Sequence, residues 1–340
     1  MKKALIALAV LGLTGGAAVA QSSVTLFGII DADMKYVKTG DLKLKKLDSS
    51  GLNTSRFGVR GTEDLGGGLK AGFWLESEVG VDKGDTGSQS AFWGRRSTVS
   101  LFGDFGEIRL GRYKTATKLH IEDFDPYSAT GLGDVTAVFK NTLGTGATTF
   151  SRADNMVSYE TPKNLGGFYG AADVSAAEGS AGVTNKMQDV RVGYKDGPIH
   201  VSAAFSSTAT ATKYKVQSIA GSYDFNGIKP ALMYTTTKAG AAEIKALTAA
   251  LTWSLGQGRL QTSYTDSKAN TAAEAIAGVG DSKLFALGYI YDLSKRTALY
   301  TTFAQIDNKG GAKYTVSGSP SATAGGQKSS GFDVGLRHSF

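Results

Sequence analysis

The chain has 340 residues, with 37 Lys and Arg against 30 Asp and Glu, no cysteine, and a mean hydropathy of −0.12. Without cysteine there are no disulfides, no thiol catalysis and no thiolate metal sites. The basic excess is mild and scattered, which argues against nucleic-acid binding. Beyond the first twenty residues no apolar run is long enough for a helical membrane span.

The chain opens Met1-Lys2-Lys3, continues with an apolar run from Ala4 to Leu13, and reaches Ala18-Val19-Ala20. A basic start, a short apolar core and an Ala-x-Ala end predict a secretory signal peptide over 1–20, cut before Gln21. The expected mature unit is then one domain over 21–340.

From there the chain reads as short segments of alternating polarity bounded by Gly, Asn or Asp. In the first, Val24, Leu26, Ile30, Ala32, Met34 and Tyr36 share one face, and Thr25, Asp31, Asp33 and Lys35 the other. Phe57 and Val59 oppose Arg56 and Arg60; Phe73 and Leu75 oppose Trp74 and Glu76; Ile108 and Leu110 oppose Arg109. Later, Phe168 and Val174 oppose Asp173, Val190, Val192 and Tyr194 oppose Asp189, Arg191 and Lys195, and Leu260 and Tyr264 oppose Arg259 and Gln261. The alternation is least clean between residues 200 and 260. Period-two patterning predicts strands with one apolar face, which suits a soluble sandwich or a membrane barrel equally.

The connections separate the two. Short turns fall at 62–68, 103–106, 162–166, 196–198, 226–227, 255–258 and 293–295, with three of the five prolines placed at such turns. Longer polar loops lie near 38–52, 81–91, 114–151, 179–186, 207–214, 238–243, 267–281 and 308–329. Seven turns alternating with eight loops predict sixteen antiparallel strands in an all-β transmembrane barrel. The final segment, Gly331 to Phe340, keeps the same alternation and ends on an aromatic side chain. With the signal peptide, that ending places the chain in the bacterial outer membrane, reached through the periplasm.

The stretches Gln21–Asp31, Ser55–Glu76, Arg95–Leu101, Gly106–Arg112, Leu293–Tyr300 and Gly335–Phe340 resemble the general porins of beta-proteobacteria. The resemblance implies a homotrimer of sixteen-stranded barrels, each with a pore narrowed by an inward-folded third loop. It also implies a passive, anion-selective channel for small hydrophilic solutes, with no cofactor and no reaction.

The longest connection, 114–151, is the candidate constriction loop, since a loop of that length in a compact domain is usually functional. It carries Glu122-Asp123-Phe124-Asp125-Pro126. Asp123 and Asp125 could hold Ca²⁺ with loop carbonyls; ordinary solvated loop acids are the other reading. Arg56, Arg60 and Arg152 lie on polar phases of their strands. Simple parity turns Arg96 inward, whereas the resemblance points to Arg95, which requires a bulge. The resemblance maps constriction arginines onto Arg56, Arg95 and Arg152, and acidic partners onto Glu76 and Asp125. Converging guanidiniums would favour anions and oppose cations; arginines paired with wall carboxylates and doing nothing selective are the alternative. Other functional readings are a substrate-specific porin with an aromatic slide along its lumen, and an outer-membrane barrel enzyme or adhesin built on one of His120, His200 and His338.

Overall fold

A computed structural model describes residues 23–176 and 185–340, so the expected signal peptide lies outside the described residues. Each alternating segment forms a strand, because a strand turns successive side chains to opposite faces and these segments are apolar on one of them. Among the described residues there are seventeen strands: β1 (Ser23–Thr39), β2 (Leu42–Ser49), β3 (Arg56–Gly66), β4 (Leu69–Glu78), β5 (Arg96–Gly103), β6 (Gly106–Lys114), β7 (Arg152–Glu160), β8 (Phe168–Ser175) and β9 (Lys186–Asp196) form the first half. The second half is β10 (Ile199–Ala209), β11 (Tyr214–Tyr223), β12 (Ile228–Ala239), β13 (Ala242–Leu255), β14 (Gly258–Ala269), β15 (Ser282–Asp292), β16 (Thr297–Asn308) and β17 (Ser329–Ser339).

Every pairing is antiparallel, between chain neighbours except for β1 with β3, and β1 closes onto β17 from Ile29↔Ser339 to Thr39↔Ser329. Upper β1 pairs β2 while lower β1 pairs β3. β2 and β3 are therefore two halves of one broken strand, and the barrel has sixteen. All seven short turns fall at one end. At the other, the loop expected over 38–52 is instead a two-residue turn at Gly40 and Asp41 followed by β2. The loop expected over 238–243 likewise shrinks to Gly240 and Ala241. Long, well-paired hairpins replace both because their polar residues carry the alternation past the apolar band. Of the prolines assigned to turns, Pro230 lies inside β12; on its β11 side the ladder stops at Ser222↔Ala231, so its missing N–H costs no bond there.

The apolar faces point outward: Val24 is 69% exposed and Met34 74%, whereas Asp31, Asp33 and Lys35 between them are buried inside. That inversion is the mark of a barrel in lipid. At the seam the terminal ring lies on Gly28, whose backbone exchanges two hydrogen bonds with Phe340. Any Cβ at Gly28 would collide with that ring.

Two helices and a short 3-10 turn complete the fold among the described residues. α1 (Ala116–Phe124) and the 3-10 turn Val135–Val138 belong to the 115–151 connection, and α2 (Thr271–Glu274) caps the loop before β15. Among the described residues no helix is long and apolar enough to cross a membrane.

Candidate functional site

The 115–151 connection does not leave the barrel; it folds inside. Thr115 caps α1 by accepting from the Lys118 N–H. The next N–H groups reach the wall: Ala116 donates to Asp173 at 2.7 Å and Thr117 to Asp189 at 3.1 Å. Carboxylates suit a helix N-terminus, whose unpaired N–H groups carry partial positive charge. Along α1, His120 bridges Ser202 and Ser218 at 3.0 and 2.9 Å, and Phe124 stacks on His200 with centroids 4.5 Å apart. Further on, Tyr127 donates to the Gln261 carbonyl, Ser267 to the Val138 carbonyl, and Thr237 to the Phe139 carbonyl. Ile121, Leu132, Val135 and Phe139 are buried against inward-facing Val216, Met233, Ile244, Leu284 and Ile306.

This leaves a cavity of about 820 Å³ between the loop and the opposite wall. Arg56, Arg95 and Arg152 line it, with Arg112, Lys114, Lys118 and Lys140 around them. Among its lining residues nine side chains are basic and six acidic, an excess of three positive charges. A second connection contributes too: Ser317 and Gly318, between β16 and β17, reach the cavity, tied by a Thr39–Ser319 hydroxyl contact of 2.7 Å. Its alternation-free sequence gave no sign of that.

The break between β2 and β3 sets Arg56 in place. Asp31 accepts from the N–H groups of Gly51, Leu52 and Asn53 at 3.2, 3.1 and 2.6 Å and from the Tyr300 hydroxyl. Ser55 bonds the Asp31 backbone on both sides. Gly51 and Gly131 of the inward loop pass so closely that a Cβ on Gly131 would strike the Gly51 carbonyl.

Arg95 and Arg96 both turn inward, at two levels. Irregular backbone at Gly94 and Arg95, matched by the register shift between Gly111 and Tyr113, makes this possible. Arg95 donates to Glu76 at 2.7 Å, and Arg56 lies 3.8 Å from the same oxygen. Arg152 donates to the Arg95 carbonyl at 2.9 Å. Thus Glu76 stands between two of the three guanidiniums, and Glu78, which accepts from Ser88 and Gln89, lies 3.8 Å from Arg95 as well. Below them Arg96 lies between Trp74 and Tyr113, 4.3 and 4.2 Å from the ring centroids. Arg60 lies over Trp74 and Phe27, and Arg109 over Tyr113, held by Glu107 and Glu160. Arg60 and Arg96 are in the lumen but outside the lining of the cavity.

Asp125 does not face the arginines. It accepts from the N–H groups of Tyr127, Ala129 and Val135, and burial, with Asp134 nearby, pushes its carboxyl up to about 7. Its role is to hold the loop's turn. Asp123 pairs with Arg191 at 3.1 Å. Both oxygens of Asp125 accept backbone N–H groups, and among the described residues no group of three or more His, Asp or Glu could hold a metal ion. His120, which burial pushes down to about 4, has serine partners but no adjacent acid to complete a hydrolase site.

Residues 7–311 match the model of the Gram-negative porin family. The chain belongs to that family. It is 41% identical to outer membrane porin protein 32 of Delftia acidovorans and 31% identical to an outer membrane porin protein of Bordetella pertussis, with all of each chain covered. Among solved structures, the anion-selective porin from Comamonas acidovorans superposes with a TM-score of 0.84 at 35% identity, over 94% of this chain and all of that one. OmpT of Vibrio cholerae, solved in a trimer form, shares the fold at 19% identity and a TM-score of 0.67, over 94% of this chain and 99% of that one. The chain is therefore a passive channel of the bacterial outer membrane, a porin and not an enzyme.

Proposed function

We propose that this porin passes small hydrophilic anions in preference to cations, with selectivity set where Arg56, Arg95 and Arg152 converge on the cavity. The carrying observation is the charge count there: three guanidiniums on one wall, paired with the two carboxylates Glu76 and Glu78, in a cavity whose lining has nine basic and six acidic side chains. In a throat too narrow for full screening, charges 4–6 Å from a passing ion act with roughly 1–4 kcal/mol. A net bias of about 1.4 kcal/mol is a tenfold permeability ratio. The name of the Comamonas relative points the same way. Replacing Arg56, Arg95 and Arg152 together with serine should move the zero-current potential in a KCl gradient away from anion preference by about that factor. An unchanged potential would place selectivity elsewhere. Raising salt should weaken the wild-type preference, because the screening length falls to about 3 Å at 1 M.

A general channel fits better than a substrate-specific one. Trp74 and Tyr113 have guanidiniums stacked on them, which does not suit a slide for sugars. The assembly we propose is a homotrimer, on the family resemblance; a heat-dissociable trimer on gels is the expected result, and a strictly monomeric protein would refute it.

A further inference from the structure

The inward loop brings a positive charge of its own to the cavity, from the side that faces the arginine wall. Lys140 follows the 3-10 turn Val135–Val138, and the residues before it tie that turn to the barrel. The Val138 carbonyl accepts from Ser267 and the Phe139 carbonyl from Thr237, while the Phe139 ring is fully buried. The Lys140 N–H donates back to the Thr136 carbonyl at 2.7 Å. With Phe139 turned to the wall, Lys140 turns the other way. Its side chain is exposed to the cavity that Arg56, Arg95 and Arg152 also line, with Nζ 5.7 Å from the centroid of the Phe150 ring. The other basic groups on this side are paired. Lys114 donates to Glu122 at 2.6 Å, and Lys118 of α1 lies 3.6 Å from the same carboxylate. Lys140 forms no ion pair among the described residues. The charged groups that face it are Lys118 of α1 and Arg152 of β7, which repel it, and Asp134, which attracts it. Asp134 is already engaged, accepting from the N–H and the hydroxyl of Thr136. Desolvation inside the barrel, with Lys118 and Arg152 adding repulsion, holds the Lys140 ammonium below the ordinary lysine range.

We propose that Lys140 is a further determinant of ion selectivity, acting on passing anions from the loop side of the cavity. The inference rests on the arginine reading above and extends it: anions move between positive charge on two sides, not along one charged wall. An unpaired ammonium facing three guanidiniums adds to their field instead of neutralising it. Over about 8 Å of water, one such charge changes permeability roughly twofold. Arginine keeps its charge at any accessible pH and lysine does not. Lys140 therefore makes part of the anion preference sensitive to alkali: the charge is present at neutral pH and is lost as pH rises through a range below that of an ordinary lysine.

The test is the zero-current potential of the assembled channel in planar bilayers, under a dilute KCl gradient, from pH 7 to 10. Lys140→Gln should lower anion preference at pH 7 by roughly twofold, while Lys140→Arg should keep the wild-type value. As pH rises, the wild type should fall away from the Lys140→Arg variant and approach the glutamine one. Lys114→Arg, whose lysine is held by Glu122, should still show that fall. Parallel curves for the wild type and Lys140→Arg would overturn the proposal. So would a fall that disappears in Lys114→Arg and persists in Lys140→Arg, since the titrating group would then be Lys114. Unchanged preference in Lys140→Gln at pH 7 would overturn it as well, and would leave the arginine reading standing, because all three guanidiniums remain in that variant. The arginine reading fails separately, on an unchanged potential when Arg56, Arg95 and Arg152 are replaced.

Discussion

The two halves of the barrel's inner wall are built on opposite rules. On β3–β7 the inward side chains are long, charged and aromatic: Arg56, Arg60, Trp74, Glu76, Arg96, Arg109 and Arg152, held by ion pairs and stacked rings. On β11–β16 they are apolar or small: Val216, Ala220, Met233, Ile244, Ala246, Leu284, Ala286 and Ile306. Where the 115–151 loop covers it, the second half faces that loop rather than water. The difference teaches how the pore is positioned. A loop with an apolar underside is drawn to the one stretch of wall that can bury it, and what lumen remains is pressed against the arginines.

The largest effect should come from breaking the apolar half. Phe139, on the underside of the loop itself, is fully buried against the wall, and large-to-small changes at such sites cost about 3–5 kcal/mol. Phe139→Ala should leave the barrel folded, since strand pairing does not depend on it, but release the loop from its wall. Single-channel records should then show a larger and noisier conductance. A steady wild-type conductance would mean that the hydrogen bonds the loop donates to Asp173 and Asp189 and accepts from Ser267 hold it without help from its apolar side.

Next comes acid. His120 sits neutral between two serines, its imidazole pushed down to about 4 by burial, with Arg191 of β9 and His200 of β10 adding repulsion. A released His120 would titrate near 6.5. Docking is thus fully favoured above 6.5 and loses stability as pH falls toward 4, by up to about 3 kcal/mol. Asp125 works the other way. Its carboxyl, near 7 when buried, takes up a proton more readily in place than when released, so docking gains from it as pH falls from 7. His120→Gln keeps both serine partners and removes only the first effect. The two effects nearly offset each other, so proteolysis of the 115–151 loop in wild type should change little between pH 6.5 and 4, and should fall in the variant. Identical profiles would show that His120 does not control the loop.

These two halves also explain what the sequence disclosed. Strands such as β1, β3 and β9 carry one apolar and one charged face, so their alternation was plain, and with it the sixteen-strand barrel. Between 200 and 260 the pattern blurs for a physical reason: Val216, Ala220, Met233 and Ile244 face inward and are apolar, while Ile219, Leu232 and Tyr234 face lipid and are apolar too. An inner face designed to receive a loop looks like noise to a period-two reading. The arginines were legible from parity and resemblance, but Arg95 and Arg96 were not separable, because a parity argument assumes unbroken backbone and the chain bends at Gly94. Asp125 was misplaced for a similar reason. Its charge suggested a partner for arginine, and only the folded loop reveals that three backbone N–H groups claim it.

A smaller effect sharpens the charged half. Glu76 accepts from Arg95 and stands near Arg56, so it subtracts from the positive potential that anions meet. Glu76→Gln keeps the shape and removes the charge. Anion preference should rise by on the order of 1 kcal/mol, roughly fivefold. The cost is two guanidiniums left less well paired, so thermal stability should drop slightly. A fall in anion preference would mean that Glu76 acts chiefly by holding Arg95 in position, and that geometry rather than net charge governs the throat.

The smallest effect tests whether selectivity is confined to the charged half or spread over the whole basic chain. Lys43 and Lys45 read as residues of an outer loop above the pore. In the fold they lie on β2 opposite Lys38 and Tyr36, on the face turned toward lipid, with the barrel wall between them and the lumen. Exposed charges separated by more than about 8–10 Å are largely screened at physiological salt. Lys43→Gln with Lys45→Gln should therefore change the zero-current potential by less than about 0.3 kcal/mol, under twofold in permeability ratio. A selectivity loss comparable to that of the arginine variant would mean that the field of the whole rim, and not the three guanidiniums at the cavity, decides which ions enter.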